Sequence, residues 1–166
     1  MDTIEQVAEF MRSNGLLLVT AESCTAGLIA ATLGDIPGAG KLLDCAFVTY
    51  SVDAKQRNLA VQDSTLQQYN LTSEEVAREM AQGALRNTRA NLAISNTGVV
   101  DDTDSSIPAG TQCFAWVFRL PGTGKGEGGA LKVFSEKCVF QGDRTQIREA
   151  SAHYALGRIP HYFAKL

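Results

Sequence analysis

The chain has 166 residues, 45% of them hydrophobic and 20% charged, with a formal net charge of -3. That is enough chain for one domain with a substantial core, and the mild acidity argues against a general nucleic-acid binder, which would carry a basic face. No apolar run reaches the roughly 18 to 20 residues of a membrane span, and the acidic start Met1-Asp2-Thr3-Ile4-Glu5 is unlike a secretory leader, so a single cytoplasmic domain over 1–166 is expected.

In chain order, Ile4, Val7, Ala8 and Met11 fall on one helical face and predict a helix over 2–13, ended by Gly15. The apolar run Leu16 to Val19 predicts a strand over 16–20, buried on both faces as in the middle of a parallel sheet. An Ala- and Leu-rich segment predicts a helix over 25–33, and Pro37-Gly38-Ala39-Gly40 is a turn. A second strand is expected over 46–50, with a short helix over 51–55. Thr72 and Glu75 stand at capping-box spacing and open a helix reaching about Thr88. A third strand over 91–96 leads into a polar loop over 97–110. Strands over 111–120 and 130–140 then pair through the glycine-rich stretch 121–129.

Gly-Thr-Gly-Lys-Gly within that stretch lacks the spacing of a phosphate loop and precedes a strand, so it reads as a flexible hairpin connection. Asp143 caps a final helix from Arg144 to about Arg158, with Pro160 at its end or at a kink. The expected fold class is α/β, a three-layer α/β/α sandwich with a mixed, mostly parallel central sheet of unspecified strand order.

Cys24, Cys45, Cys113 and Cys138 are scattered and form no CxxC or Cys/His cluster, which suits free thiols in a reducing compartment rather than disulfides or zinc. His153 and His161 read as helix-surface or packing residues. Chemistry concentrates instead at Glu22-Ser23-Cys24-Thr25, between a strand's carboxyl end and a helix's amino end. Open α/β sheets bind ligands there, because unpaired N–H groups and the helix dipole favour an anion. Ser23 and Thr25 equally suit helix capping.

The joint order of several segments resembles the CinA C-terminal domain family, whose stand-alone members include bacterial nicotinamide mononucleotide amidohydrolases. The segments are Thr20-Ala21-Glu22-Ser23-Cys24-Thr25 with Gly27, Asp35-Ile36-Pro37-Gly38, and Phe47-Val48-Thr49-Tyr50-Ser51 with Ala54-Lys55. Ser73-Glu74-Glu75-Val76-Ala77, Met80-Ala81, Gly83-Ala84, Thr97-Gly98, Pro108, Gly110-Thr111 and Gly142-Asp143-Arg144 with Arg148 complete a likeness over about residues 4 to 158.

The resemblance implies hydrolysis of a nucleotide's carboxamide to a carboxylate with release of ammonia. Such a reaction needs a nucleophile, a proton relay to the leaving nitrogen, and donors for the developing oxyanion. Ser23 is the candidate nucleophile, Lys55 the base and proton donor once burial lowers its pKa, and Tyr50 a proton relay or an orienter of Lys55. The N–H groups beside Thr25 or Gly98 are candidates for the oxyanion site. Glu22, Cys24, Thr25, Ala26, Gly27, Thr97 and Gly98 are expected around the substrate. Arg144 and Arg148, one helical turn apart, read as a phosphate grip or as a solvated helix face. Read alone, Lys55 is a surface charge and Tyr50 a strand-end core residue.

The loop Thr97 to Thr111 departs from the family pattern. Asp101-Asp102 stand where a Gly-Pro pair is usual, Asp104-Ser105 replace a double glycine, and Ile107 replaces a lysine. Ala26 stands where the family prefers glycine. Carboxylates facing the pocket would repel a phosphate, whereas facing solvent they would matter little. Asp101, Asp102 and Asp104 also suit a divalent cation, although a solvated acidic loop is the simpler expectation. The expected partners are a small-molecule nucleotide and further copies of the chain, as a homo-oligomer, with no nucleic acid and no membrane. No cofactor or metal is expected. The competing reading is a catalytically degenerate relative that binds another small ligand or acts in regulation.

Overall fold

The computed structural model describes residues 2–122 and 128–166. Its elements run α1 (Ile4–Ser13), β1 (Leu18–Glu22), α2 (Leu28–Gly34), β2 (Leu43–Val48), α3 (Val52–Leu59), α4 (Asp63–Gln68), α5 (Glu74–Arg86), β3 (Leu92–Gly98), β4 (Thr111–Arg119), β5 (Leu131–Val139), α6 (Arg144–Gly157) and α7 (Ile159–Phe163). The strands form one sheet in the order β2-β1-β3-β4-β5. β1 pairs in parallel with β2 and β3, while β4 runs antiparallel to both β3 and β5. Four strands therefore point the same way and only β4 reverses, which is the mixed sheet expected.

Alternation along the strands splits the core between two faces. Phe114, Trp116 and Phe118 of β4 join Leu18, Leu92 and Ile94 beneath α1, α2, α6 and α7. Cys113, Ala115 and Val117 join Val19, Ala21 and Ala93 against α3 and α5. The face with the large aromatics is anchored by the Trp116 indole, whose Nε1 donates to the Ala155 carbonyl at 2.8 Å.

Several boundaries differ from expectation for local reasons. β2 ends at Val48, because the Thr49 and Tyr50 carbonyls accept from the Lys55 amine rather than continuing a ladder. α2 starts at Leu28, because Ala26 and Gly27 both take left-handed backbone, with φ of 48° and 99°. α5 is capped by Ser73, whose hydroxyl accepts from Val76 N, so Thr72 is not the cap. Asp143 does cap α6, in a reciprocal box with Gln146. Pro160 lies in the first turn of α7, where its missing N–H costs nothing, and so opens a helix rather than ending one. The centre of the expected hairpin connection, residues 123–127, lies outside the described residues.

Among the described residues no helix is long and apolar enough to cross a membrane.

Candidate active site

From β1 the chain passes through α2 to β2 on one side, while β3 lies on the other side. The carboxyl end of β1 is therefore the point where the strand order diverges, the usual ligand position in open α/β sheets. Ser23 sits there. Its N–H donates to the Asn96 carbonyl at the end of β3, and it is 9% exposed.

Lys55 arrives from the first turns of α3, which Ser51 caps by accepting from Ala54 N. The Lys55 side chain is folded inward, with the residue 2% exposed. Its Nζ lies 3.0 Å from Ser23 Oγ, 2.7 Å from the Thr49 carbonyl oxygen and 3.1 Å from the Tyr50 carbonyl oxygen. Burial lowers its pKa from 10.5 to about 8. The two residues, 32 apart in sequence, meet as expected.

Both face a cavity of about 460 Å3, whose wall also includes Cys24, Tyr69, Asn70, Thr97 and Asp104. A smaller chamber of about 290 Å3 adjoins it, lined by Arg144, Asp101 and Thr103. Cys24, Tyr50, Gly98 and Val99 border both chambers. A cavity of about 560 Å3 at the opposite end of the sheet, beside Arg12, Lys41 and Arg89, contains no nucleophile–base pair.

Other expectations require correction. Tyr50 holds Lys55 through its backbone carbonyl, while its ring is 64% exposed at the chamber border and makes no bond to Ser23 or Lys55. A proton relay through the Tyr50 phenol is therefore not built into this arrangement. Glu22 is fully buried and does not reach a ligand. Its carboxylate accepts from the Thr20 and Thr25 hydroxyls and from the N–H groups of Gly27, Ile29 and Ala30. Thus the anion at the amino end of α2 is Glu22 itself, and those N–H groups are spent.

Thr25 is also fully buried, and its N–H donates to Asn96 Oδ1 at 3.0 Å, so it is unavailable to an oxyanion. Ala26 and Gly27 line neither chamber and instead shape the backbone that presents donors to Glu22. Arg148 also lines neither chamber. Its guanidinium donates to the Cys24 and Thr25 carbonyls at 3.0 and 3.2 Å, pinning the turn after Ser23 to α6. Arg144 does line the smaller chamber, where Nη2 pairs with Asp101 Oδ2 at 3.1 Å. The two arginines therefore do not grip together.

Asp101 and Asp104 do not converge. Asp101 faces Arg144, whereas Asp104 accepts from Asn70 Nδ2 at 2.7 Å and from the Ser106 hydroxyl. Hydrogen bonds from Thr103 and from Ser106, respectively, hold their carboxyls below the usual range. No group of three or more potential metal ligands gathers among the described residues.

Asn96 and Gln112 carry no catalytic signature in sequence and line neither chamber, yet they hold the backbone behind the site. Asn96 Nδ2 donates to Gln112 Oε1 at 2.9 Å, and Gln112 Nε2 reaches Val99 O and Cys24 Sγ. Gly98 makes room for this amide chain, since a Cβ there would lie 2.2 Å from Gln112 Oε1. Burial raises the Cys24 thiol above its ordinary pKa.

The CinA C-terminal domain model matches residues 1–163. This chain belongs to that family. Nicotinamide-nucleotide amidohydrolase PncC of Escherichia coli K12 is 38% identical over 158 residues, covering 94% of this chain and 90% of the relative. A competence-damage inducible protein of Symbiobacterium thermophilum is 37% identical over 166 residues, and the match spans only 38% of its length. A CinA superfamily structure from Klebsiella pneumoniae superposes with a TM-score of 0.86 at 30% identity, covering 98% of this chain and 96% of that one.

Proposed function

We propose that this protein is an amidohydrolase acting on the carboxamide of a pyridine mononucleotide, converting nicotinamide mononucleotide to the carboxylate with release of ammonia. The buried Ser23–Lys55 contact at 3.0 Å, inside a ligand-sized cavity, carries the reading. The 38% identity to a nicotinamide-nucleotide amidohydrolase over nearly the whole chain supports the choice of substrate.

The carbonyls of Thr49 and Tyr50 explain why Lys55 can act as a base. A neutral amine has two N–H donors and one lone pair. With the donors engaged by the two carbonyls, the lone pair points to Ser23 Oγ. Lys55 takes the Ser23 proton as Oγ attacks the carboxamide carbon, and the carbonyl electrons move to oxygen. The Cys24 N–H follows the nucleophile and has no acceptor among the described residues, which supports it as an oxyanion donor.

As the tetrahedral intermediate collapses, Lys55 returns its proton to the leaving nitrogen and ammonia departs. Water then attacks the ester on Ser23 with Lys55 again as base, giving the carboxylate and restoring the hydroxyl. In this reading the sugar-phosphate end takes the smaller chamber, and the presence of Arg144 in its wall supports that assignment. Four free thiols suit a reducing compartment, which supports a cytoplasmic enzyme. The same proposal includes self-association as a homo-oligomer.

Ammonia release from nicotinamide mononucleotide, with the carboxylate product identified, tests the proposal. Turnover by the intact chain and a loss of about a thousandfold or more in Lys55→Met are expected. A folded chain that releases no ammonia from this substrate is the degenerate relative instead.

A further inference from the structure

The smaller chamber contains an anion of the protein's own. Of the two basic residues lining the chambers, Lys55 is committed to Ser23, Thr49 and Tyr50, and Arg144 donates from Nη2 to Asp101. Arg148 is bonded to two backbone carbonyls, and Glu22 takes the donors at the start of α2. A phosphate monoester entering beside Arg144 must share the guanidinium with Asp101, whose Oδ2 already accepts from Nη2, and sit near that carboxylate's charge. Asp101 does not swing away freely, because its other oxygen, Oδ1, accepts from both Thr103 N and Thr103 Oγ1, at 3.2 and 2.7 Å.

We propose that Asp101 is a specificity-determining residue. It acts as a built-in competitor for Arg144, so that the site draws little affinity from a phosphate and accepts unphosphorylated nucleoside carboxamides nearly as well as mononucleotides. The proposal rests on the amidohydrolase reading for the location of the carboxamide. It adds that this chain's substrate class extends to the neutral-tailed nucleoside.

Calorimetric titration tests it in the Ser23→Ala background, which binds without turnover, using nicotinamide mononucleotide and its dephosphorylated nucleoside. The expected dissociation constants lie within about threefold of each other. Adding Asp101→Asn, which keeps an acceptor for Thr103, should tighten mononucleotide binding about tenfold while leaving nucleoside binding unchanged. With Arg144→Gln also present, that gain should disappear. An unchanged ratio in Asp101→Asn, a gain that survives Arg144→Gln, or failure of both ligands to bind overturns the proposal. Ammonia release by the unsubstituted chain decides the amidohydrolase reading separately.

Discussion

At Lys55, burial and catalysis draw on the same cause. Enclosing the ammonium between α3 and the end of β1 removes it from water, and this lowers its pKa to about 8. Only the neutral amine accepts the Ser23 proton. Below that pKa the competent fraction falls tenfold per pH unit, and above it the fraction is complete. The value of kcat/KM should therefore climb with slope one through pH 6 and 7 and level off above about 8, about a hundredfold higher than at pH 6. A flat profile over pH 6 to 9, measured by ammonia release, would remove Lys55 from the role of base.

Ala26 gives a second residue-scale test. Its φ of 48° is left-handed backbone on an exposed turn, where a Cβ is a liability. Ala26→Gly should raise stability by about 0.5–1 kcal/mol in urea unfolding, the relief of strain exceeding the added freedom of the unfolded chain. In this chain the position faces a backbone demand, since Ala26 lines neither chamber.

The element that organises the site is the start of α2. Glu22 lies on the same face of β1 as Leu18 and Thr20, directly beneath that helix, and five donors converge on its two oxygens. Glu22→Gln places an amide hydrogen against those donors and should cost about 3 kcal/mol, read as a lower urea midpoint. Retained stability would show that the cap is dispensable.

The sequence signalled a polar cluster here but not its orientation. A carboxylate just past a strand end looks like a ligand contact, but β1 runs two residues further than expected and takes in Glu22, whose side chain the alternation turns inward. The same limitation hid Asn96 and Gln112, whose roles arise only from pairing between β3 and β4. By contrast, Ser23 and Lys55 were legible because each lies in a segment resembling the family pattern, and the contact between them follows from β1 pairing beside β2. The helix α4 was missed, since Asp63–Gln68 offers too few apolar positions to show a period.

At the scale of the molecule, the proposed mechanism makes turnover depend on how closely α3 and α5 pack, because Lys55 is carried by α3. Gly83 of α5 lies against the end of α3, and a Cβ there would meet the Leu59 carbonyl oxygen at 1.9 Å. That neighbour is backbone and cannot rotate aside. Gly83→Ala should destabilise the fold by about 3 kcal/mol and lower kcat/KM by displacing α3, although Gly83 touches no ligand. Unaltered unfolding and turnover would show that α3 is not fixed by this contact.

On the opposite face, Glu136 gathers Tyr154, Tyr162 and Arg158, tying α6 and α7 to the outer strand β5. Through Arg148, α6 in turn holds the backbone that carries the nucleophile. Both layers of the sandwich therefore converge on the Ser23 turn, one delivering Lys55 and the other fixing the main chain.

The most direct measurement is ammonia release from nicotinamide mononucleotide at pH 9 by Ser23→Ala beside the intact chain, with urea midpoints compared in parallel. The expected result is a loss of at least about a thousandfold at an unchanged midpoint. A substituted chain that releases ammonia at a rate comparable to the intact one would contradict nucleophilic attack by Ser23.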